Sequence, residues 1–476
     1  MKKSFLFLLL ILCSAPVFSQ NNLTPADSVE VLLQKLAKQV DTLNLKIKDI
    51  IVTGNKITKE YVILRELEFK KGDIFKALKY INSINNLNNL GLFTRADIIP
   101  IPVNDKEISL NIDVQERWYI LPIPGGGVDE GEYFKKLWGS LNIRWDNFRG
   151  RNEMLSLYGR IFYNPAVKFT YKNPWFGGKL HLFSVYSIGY SRIRNQSIQI
   201  LGIPNGENTI PFEHYNFENF IFNTDLTLGK YLSRQFSIFI DGGYNTIRVS
   251  EYAPGRTFSS SGKDKYMNFG AGFEFDSRND RDFTTKGLYL RSTISGYSFI
   301  DNAVKTGRYT FESRTFLPIP FSKTYSMTLA SRLVTSLVIG HDIPVYQHEF
   351  LGYNDNYVRG WSGKAYEGEH EVLLYNELRI PLYQPRYING SKVPIVRDIP
   401  VLNHMDLKHG LYLAVIYDIG TVFNHTEKIT KQRFLSGAGL GLDVILPFGI
   451  VGRADWVFRL DKPVVGQIGF GLSAKF

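Results

Sequence analysis

Cysteine is all but missing from this 476-residue chain, and the one present, Cys13, lies in an apolar stretch at the start. No disulfide frame is therefore available to the rest of the sequence. Long apolar runs are missing too: after Ser19 none approaches the ~18 residues that a membrane-spanning helix needs. Metal-binding spacing is missing. Six of the eight histidines fall between His341 and His425, and none forms a His-x-x-x-His pair. There is no Gly-x-Ser-x-Gly elbow for a nucleophilic serine. The run Gly437-Ala438-Gly439-Leu440-Gly441 lies inside a strand pattern with no helix after it, so it reads as a thin stretch of wall rather than a dinucleotide loop. Catalytic residues, cofactors and metals are not expected. The net charge is +11, yet no basic-aromatic stripe suited to nucleic acid is present.

What is present begins with a leader. Met1-Lys2-Lys3 is basic, Phe5 to Cys13 is apolar, and Val17-Phe18-Ser19 permits cleavage before Gln20. Residues 1–19 read as a signal peptide. Leu12 is too bulky for a lipoprotein signal at Cys13. Removing the leader lowers the formal charge from +11 to +9. Aromatics make up 14% of the chain, with 27 Tyr and 34 Phe, and Gly is frequent at 41. An exported, aromatic-rich chain without spanning helices points to a β-barrel in a bacterial outer membrane, in contact with its lipids.

From Trp118 onward the hydrophobic pattern has period two. Leu411, Leu413, Val415, Tyr417, Ile419 and Phe423 share one face, and Tyr412, Ala414, Ile416, Asp418 and Gly420 the other. Ile450, Ala454, Trp456, Phe458 and Leu460 face one way, while Arg453, Asp455, Arg459 and Asp461 face the other. In a membrane barrel the apolar face meets lipid and the charges line the lumen. Counting such runs predicts about sixteen strands, centred near Leu121, Leu141, Leu157, Phe169, Phe183, Phe222, Ile240, Phe269, Leu290, Phe311, Leu329, Leu374, Val415, Leu440, Trp456 and Phe470. The long connections 193–216, 252–264 and 340–369 fall at one end. Most of the others are short, but 384–408 gives one long connection at the opposite end. The charge run Asp276, Arg278, Asp280, Arg281 and Asp282 reads as a solvated turn. The last strand places Ile468, Phe470, Leu472, Ala474 and Phe476 toward lipid, and the chain stops on an aromatic.

Ahead of the barrel, residues 20–44 read as a linker. Asp27-Ser28 can cap a helix running to about Thr42, which either links and packs or plugs the barrel. Residues 45–116 read as a small α+β unit in the order strand, helix, helix, strand, strand. The first helix begins at Thr58 and runs through Leu67, and the second spans Phe75 to Leu90. This order, with Val52-Thr53-Gly54-Asn55, Arg65 to Asp73, Leu90-Gly91-Leu92-Phe93 and the closing Val114 to Trp118, resembles a POTRA domain. The predicted fold class is thus mainly β: a transmembrane antiparallel β-barrel at 117–476 preceded by one small α+β POTRA domain.

The segment 340–369 is the longest stretch read as non-strand, and it carries Val358-Arg359-Gly360-Trp361. By alternation, Glu377 on the following strand and Asp418 on the next both point inward. Those carboxylates suit an arginine that a loop folds into the lumen, because a guanidinium can fork onto one acid and still reach another. A passive pore or structural barrel is the alternative that pattern alone leaves open.

Val358-Arg359-Gly360-Trp361 also resembles the loop motif of the BamA/TamA superfamily. Tyr417-Asp418-Ile419-Gly420 is similar to that family's aromatic-x-Asp-x-Gly motif, and Glu377 to Pro381 to its strand after the loop. Asn173 to Phe176, Asp276-Ser277-Arg278 with Lys286-Gly287, and Ser436 to Leu440 match as well. Trp361 is bulkier than the usual aromatic, and Gly352-Tyr353 stands where Gly-Gly is common. The resemblance implies that the loop folds into the lumen and that Arg359 locks it onto Glu377 and Asp418. It implies a terminal recognition signal at Phe470, Leu472 and Phe476. It further implies outer-membrane protein assembly, insertion or translocation. The POTRA domain would sit in the periplasm, binding unfolded or extended client proteins, with accessory assembly proteins as possible partners.

Overall fold

The computed structural model describes Asp41 and residues 44–471, apart from 129–136, 196, 203–204, 207–216, 281–282, 301–304, 322–325, 341–342, 353–356, 362–363, 395–405, 428–433, 448–449 and 462–465. The expected leader 1–19, the body of the helix expected before Thr42, and Leu472 and Phe476 lie outside the described residues. For Phe470 only the backbone is described.

The first unit runs β1 (Lys46–Thr53), α1 (Glu60–Leu64), α2 (Ala77–Asn89), β2 (Phe93–Asn104) and β3 (Glu107–Glu116). Its sheet has the order β1-β3-β2, with β1 parallel to β3. Alternation builds it: Ile108, Leu110, Ile112 and Val114 of β3 all point into the core. There they meet Ile47, Val62, Ile63 and Leu87. Each fully buried side chain of this size contributes roughly 1.5–3 kcal/mol. Asp41 caps α2 by accepting from the Ala77 amide at 2.8 Å. The first helix is shorter than its apolar spacing suggests, and the Thr58 amide lies ahead of it, 2.6 Å from the Glu116 carboxylate. The helix starts only at Glu60 and gives way to turns after Leu64.

The second unit is one sixteen-stranded antiparallel sheet. Its strands are β4 (Ile120–Val128), β5 (Leu137–Phe148), β6 (Glu153–Phe162), β7 (Ala166–Phe176), β8 (Leu182–Arg194), β9 (Glu218–Tyr231), β10 (Phe236–Val249) and β11 (Lys263–Asp276). Next come β12 (Gly287–Phe299), β13 (Lys305–Pro320) and β14 (Ser326–Ile339). A two-stranded hairpin, β15 (Glu349–Leu351) and β16 (Tyr366–Gly368), interrupts the series. The sheet then resumes with β17 (His370–Asn389), β18 (Asp406–Phe423), β19 (Leu435–Ile445), β20 (Val451–Arg459) and β21 (Gly466–Gly471). Every strand centre expected from periodicity falls inside one of these sixteen strands. Large apolar side chains stay exposed on the outer face, Ile240 at 62% and Phe269 at 61% among them, as a lipid-facing wall requires. Among the described residues, β4 and β21 end the pairing order and are not paired with each other.

Two expectations about connections need correcting. The segment 340–369 is not devoid of strand: β15 and β16 pair from Glu349–Gly368 to Leu351–Tyr366. The connection 384–408 is in part regular structure. β17 and β18 continue past a bulge region, pairing Arg386 with His409 and Asn389 with Asp406. At ~3.3 Å per residue, β17 is roughly 66 Å long, about twice the ~30 Å hydrocarbon thickness. The hairpin therefore projects beyond the rim.

The turn Asn147 to Asn152 defines a near end of the barrel, against which the first unit sits. The loops before β9, β11 and β17 define the far end.

Candidate functional site

The loop before β17 descends from the far end and places Arg359 inside the barrel, 2% exposed. Its Nε and Nη2 donate to the two oxygens of Asp418 at 2.5 and 2.6 Å. Its Nη1 donates to Glu377 Oε1 at 2.6 Å, and its own amide reaches Asp418 Oδ2 at 3.3 Å. Both acids are fully buried. The guanidinium thus forks onto one carboxylate and bridges to a second on the adjacent strand.

Alternation of β17 and β18 puts both acids on the inner face, where Tyr375 sits directly opposite Asp418. The loop's peptide chain comes equally close. A Cβ added at Gly437 would lie 1.9 Å from the Arg359 carbonyl oxygen, so only glycine lets the loop lie on β19 here. Gly360 sits at φ +90°, a conformation other residues rarely adopt. Trp361 is 2% exposed. Its indole N–H donates to the Ser436 carbonyl at 2.9 Å, and Arg459 lies over the ring at 3.9 Å. Val358 joins Trp361, Leu351, Tyr366, Leu373 and Tyr375 in one apolar cluster. The loop is thus held by packing as well as charge.

Arg379, Arg453 and Asp455 share the inward face by alternation, and the structure joins them to this site. Arg453 donates to Glu377 Oε1 at 2.5 Å and to Asp455 at 2.7 Å. Arg379 donates to Glu377 Oε2 at 3.0 Å. Asp443 is fully buried with Arg453 Nε 4.0 Å away. Three guanidiniums therefore face four carboxylates within one water-poor region. The inward parity of these residues was the available signal. Their common height was not, because it depends on register.

The turn between β11 and β12 is not simply solvated. Phe283 is 3% exposed and packs on Tyr412, with ring centroids 4.7 Å apart. The Thr284 carbonyl accepts from Arg379 at 3.3 Å. Asp280 pairs with Lys408, and Asp276 accepts from Arg278 at 2.9 Å. Arg281 and Asp282 lie outside the described residues. The apolar residue just after the run finds the inner wall, and Thr284 is buried with it.

No helix among the described residues is long and apolar enough to cross a membrane. Two family models match the chain: a POTRA model described as "Surface antigen variable number repeat" over residues 45–117, and an "Omp85 superfamily domain" over residues 147–476. The chain belongs to the Omp85 superfamily.

Relatives of this Omp85 chain are distant. A Treponema pallidum (strain Nichols) protein, provisionally named outer membrane protein assembly factor, is 31% identical over 159 residues, 32% of this chain. The chain spans only about a fifth of that relative, 19% of its length. The solved BamA of Haemophilus ducreyi lacking POTRA domains 1–3 is 17% identical, with a TM-score of 0.53 over 90% of this chain and 83% of that one. CdiB from Acinetobacter baumannii is 17% identical, with a TM-score of 0.54 over 90% and 73% of the two chains. CdiB from Escherichia coli is 12% identical, with a TM-score of 0.58 over 90% and 75%. These structures share the fold.

The POTRA unit of this Omp85 chain is docked on the near end of the barrel. Asn147 Nδ2 donates to the Thr58 hydroxyl at 2.8 Å, and that hydroxyl donates to Glu116 at 2.6 Å. Tyr119 lies 3.0 Å from the same hydroxyl, and burial pushes its phenol pKa up, keeping it neutral. The Lys59 amide donates to the Gly150 carbonyl at 2.9 Å. Arg234, in the turn before β10, reaches the Leu67 carbonyl at 3.3 Å and Glu66 at 3.3 Å. β2 also approaches β18.

Proposed function

We propose that this protein assembles or translocates other proteins across or into the outer membrane, with its POTRA unit in the periplasm. The observation that carries the reading is the build of the sheet's first strand. β4 reads Ile-Leu-Pro-Ile-Pro-Gly-Gly-Gly-Val, and it pairs with β5 through Pro122 opposite Ile143 and Pro124 opposite Leu141. Proline lacks an N–H, so in a sheet it is found where that N–H would face an open edge. Two donors are therefore missing on the side of β4 that faces away from β5, and three glycines weaken the same strand. At the other end, Gly469 and Gly471 weaken β21. A seam built so loosely suits lateral opening to a client strand. A permanently closed pore has no need of it.

The POTRA unit would receive clients by strand addition. Pro100 and Pro102 remove donors from β2, which also approaches β18. The first residues of β1 are covered by 72–75, where the Ile47 amide donates to the Asp73 carbonyl at 2.9 Å. That leaves the second half of β1, Asp49 to Thr53, as the edge with intact donors.

Reconstitution in liposomes tests the reading. Full-length protein should accelerate insertion or passage of an unfolded client barrel, and disulfides formed by pairing Leu121→Cys or Ile123→Cys with Ile468→Cys should abolish it. Unimpaired client handling under complete crosslinking removes the seam from the mechanism. Steady ion conductance without any client effect supports the passive pore instead.

A further inference from the structure

The outer wall of the barrel is not uniform in charge. On β8–β13, and only there among the described residues, cations point outward at the far end. They are Arg192 and Arg194 on β8, Arg248 on β10, Lys263 and Lys265 on β11, and Lys305 on β13. Register assembles them into one patch. Arg192 and Arg248 both lie opposite Phe220, Arg194 lies opposite Glu218, and Arg248 also lies opposite Lys263. Lys265 pairs with Thr246, and Lys305 with Ser298 one strand further on. Alternation fixes the direction: Ile247 and Val249, which flank Arg248, are buried inward, as is Asp264 between the two lysines.

Glu218 is the one described acid on this face. It accepts from Arg192 at 2.7 and 2.8 Å and lies 3.8 Å from Arg194. Among the described residues the cations of this face outnumber its acids. The Phe220 ring sits beneath two guanidiniums, 4.8 Å from that of Arg248 and 5.9 Å from that of Arg192. Directly toward the near end the wall becomes apolar, with Tyr190, Ile240, Met267 and Phe269 all exposed. On the remaining strands the outward far-end positions are uncharged, such as Ile339 on β14, Phe423 on β18, Phe458 on β20, Leu137 on β5 and Ile161 on β6.

We infer that this patch is a binding surface for a lipid carrying clustered phosphates in the leaflet at the far end. A cation cluster above an apolar wall recognises an anionic headgroup and its acyl chains together, whereas free phosphate uses only the first half. The patch lies in the middle of the sheet order, remote from β4 and β21. It fixes the barrel to its lipid on the side away from the seam and leaves the seam wall uncharged. The assignment of that leaflet to the cell's outside rests on the orientation given above.

Native mass spectrometry of the full chain in neutral detergent tests the surface. The probes are a diphosphorylated glucosamine lipid, its dephosphorylated form, and inorganic phosphate. Wild type should retain the diphosphorylated lipid about tenfold or more over the combined Arg192→Gln, Arg248→Gln, Lys263→Gln and Lys265→Gln variant. It should discriminate against the dephosphorylated lipid by a similar factor, and inorganic phosphate should not displace the bound lipid. A control carrying Lys179→Gln and Lys230→Gln, at the near end, should bind as wild type does. Equal retention by the fourfold variant, an equal loss in the control, or displacement by inorganic phosphate overturns the inference. If the fourfold variant loses heat-modifiable migration and so has not folded, Lys263→Gln with Lys265→Gln decides the matter by the same criteria. Orientation is read separately, by labelling Lys305→Cys on intact cells with a membrane-impermeant thiol reagent. Lipid binding without labelling overturns the orientation and not the surface.

Discussion

Two attachments hold separate parts of this chain to the barrel, and they are made differently. At the far end, the loop before β17 is fixed by a buried guanidinium on two fully buried acids. At the near end, the POTRA unit is held by hydrogen bonds through Thr58 and the Lys59 amide, by Arg65 over the Trp175 ring, and by Arg234 at 40% side-chain exposure. Removing one partner of a buried ion pair costs about 3–5 kcal/mol, because the other charge is stranded away from water. Removing a neutral hydrogen bond costs about 1 kcal/mol, and an exposed charge pair less still. The loop thus carries a fully buried charge lock. The POTRA seat has no charge pair so fully buried among the described residues, and it lies on the side where a client would arrive under the proposed orientation.

The comparison is broken most severely at Arg359. Arg359→Ala takes from Asp418 its guanidinium partner and leaves it the amide of residue 359, whereas Glu377 keeps Arg379 and Arg453. The expected loss is about 3–5 kcal/mol in loop anchoring. The readout is protease cleavage within 340–369 of a barrel that still inserts and migrates as folded. A loop as resistant as wild type would show that packing alone holds it. Combining Arg359→Ala with Asp418→Asn should recover part of the loss, since the stranded charge is then gone. Next in size is Gly437→Ala. Its Cβ would meet the Arg359 carbonyl at 1.9 Å, so the loop must lift from β19. An overpacking cost of about 1–3 kcal/mol is expected, read as a lower thermal midpoint with cleavage at the same loop sites.

Periodicity carried much of this into the sequence. The alternation of Leu374, Leu378 and Ile380 against Tyr375, Glu377 and Arg379 is a local property of an extended chain, so the inward direction of Glu377 was legible. The same held for Asp418. What parity does not carry is height along the barrel. Arg453 and Asp455 share a parity with every other inward residue of β20. Their meeting with Glu377 depends on the stagger across the four strands β17 to β20, set by hydrogen-bond register and tilt. The folded-in turn at Phe283 was hidden for a related reason. Its neighbours Asp280 and Arg278 are residues a solvated turn would carry, and the Tyr412 surface that receives Phe283 is more than a hundred residues away. The length of β17 was hidden by its bulges at Pro381 and Tyr383, where period two slips and the strand reads as a connection.

The near-end attachment should respond more weakly, and its two halves should differ. Asn147 is 2% exposed and joins the barrel turn to Thr58, while its own carbonyl accepts from the Asn152 amide at 2.8 Å. Asn147→Ala leaves that half-buried amide without its acceptor and removes the donor to Thr58, a cost of about 1 kcal/mol or more. Arg234→Ala removes donors to the Leu67 and Arg65 carbonyls and an ion pair to Glu66 at 3.3 Å, all partly open to water. Its cost should stay below about 1 kcal/mol and should shrink as salt is raised. Spin labels on the POTRA unit and on the turn before β10 would measure both as a broadened distance distribution in the intact protein. Arg234→Ala should widen it slightly at low salt and not at high salt, and Asn147→Ala should widen it at both. If Arg234→Ala freed the unit as fully as Asn147→Ala, the seat would be electrostatic. Both attachments would then be held by charge, and the contrast between them would fail.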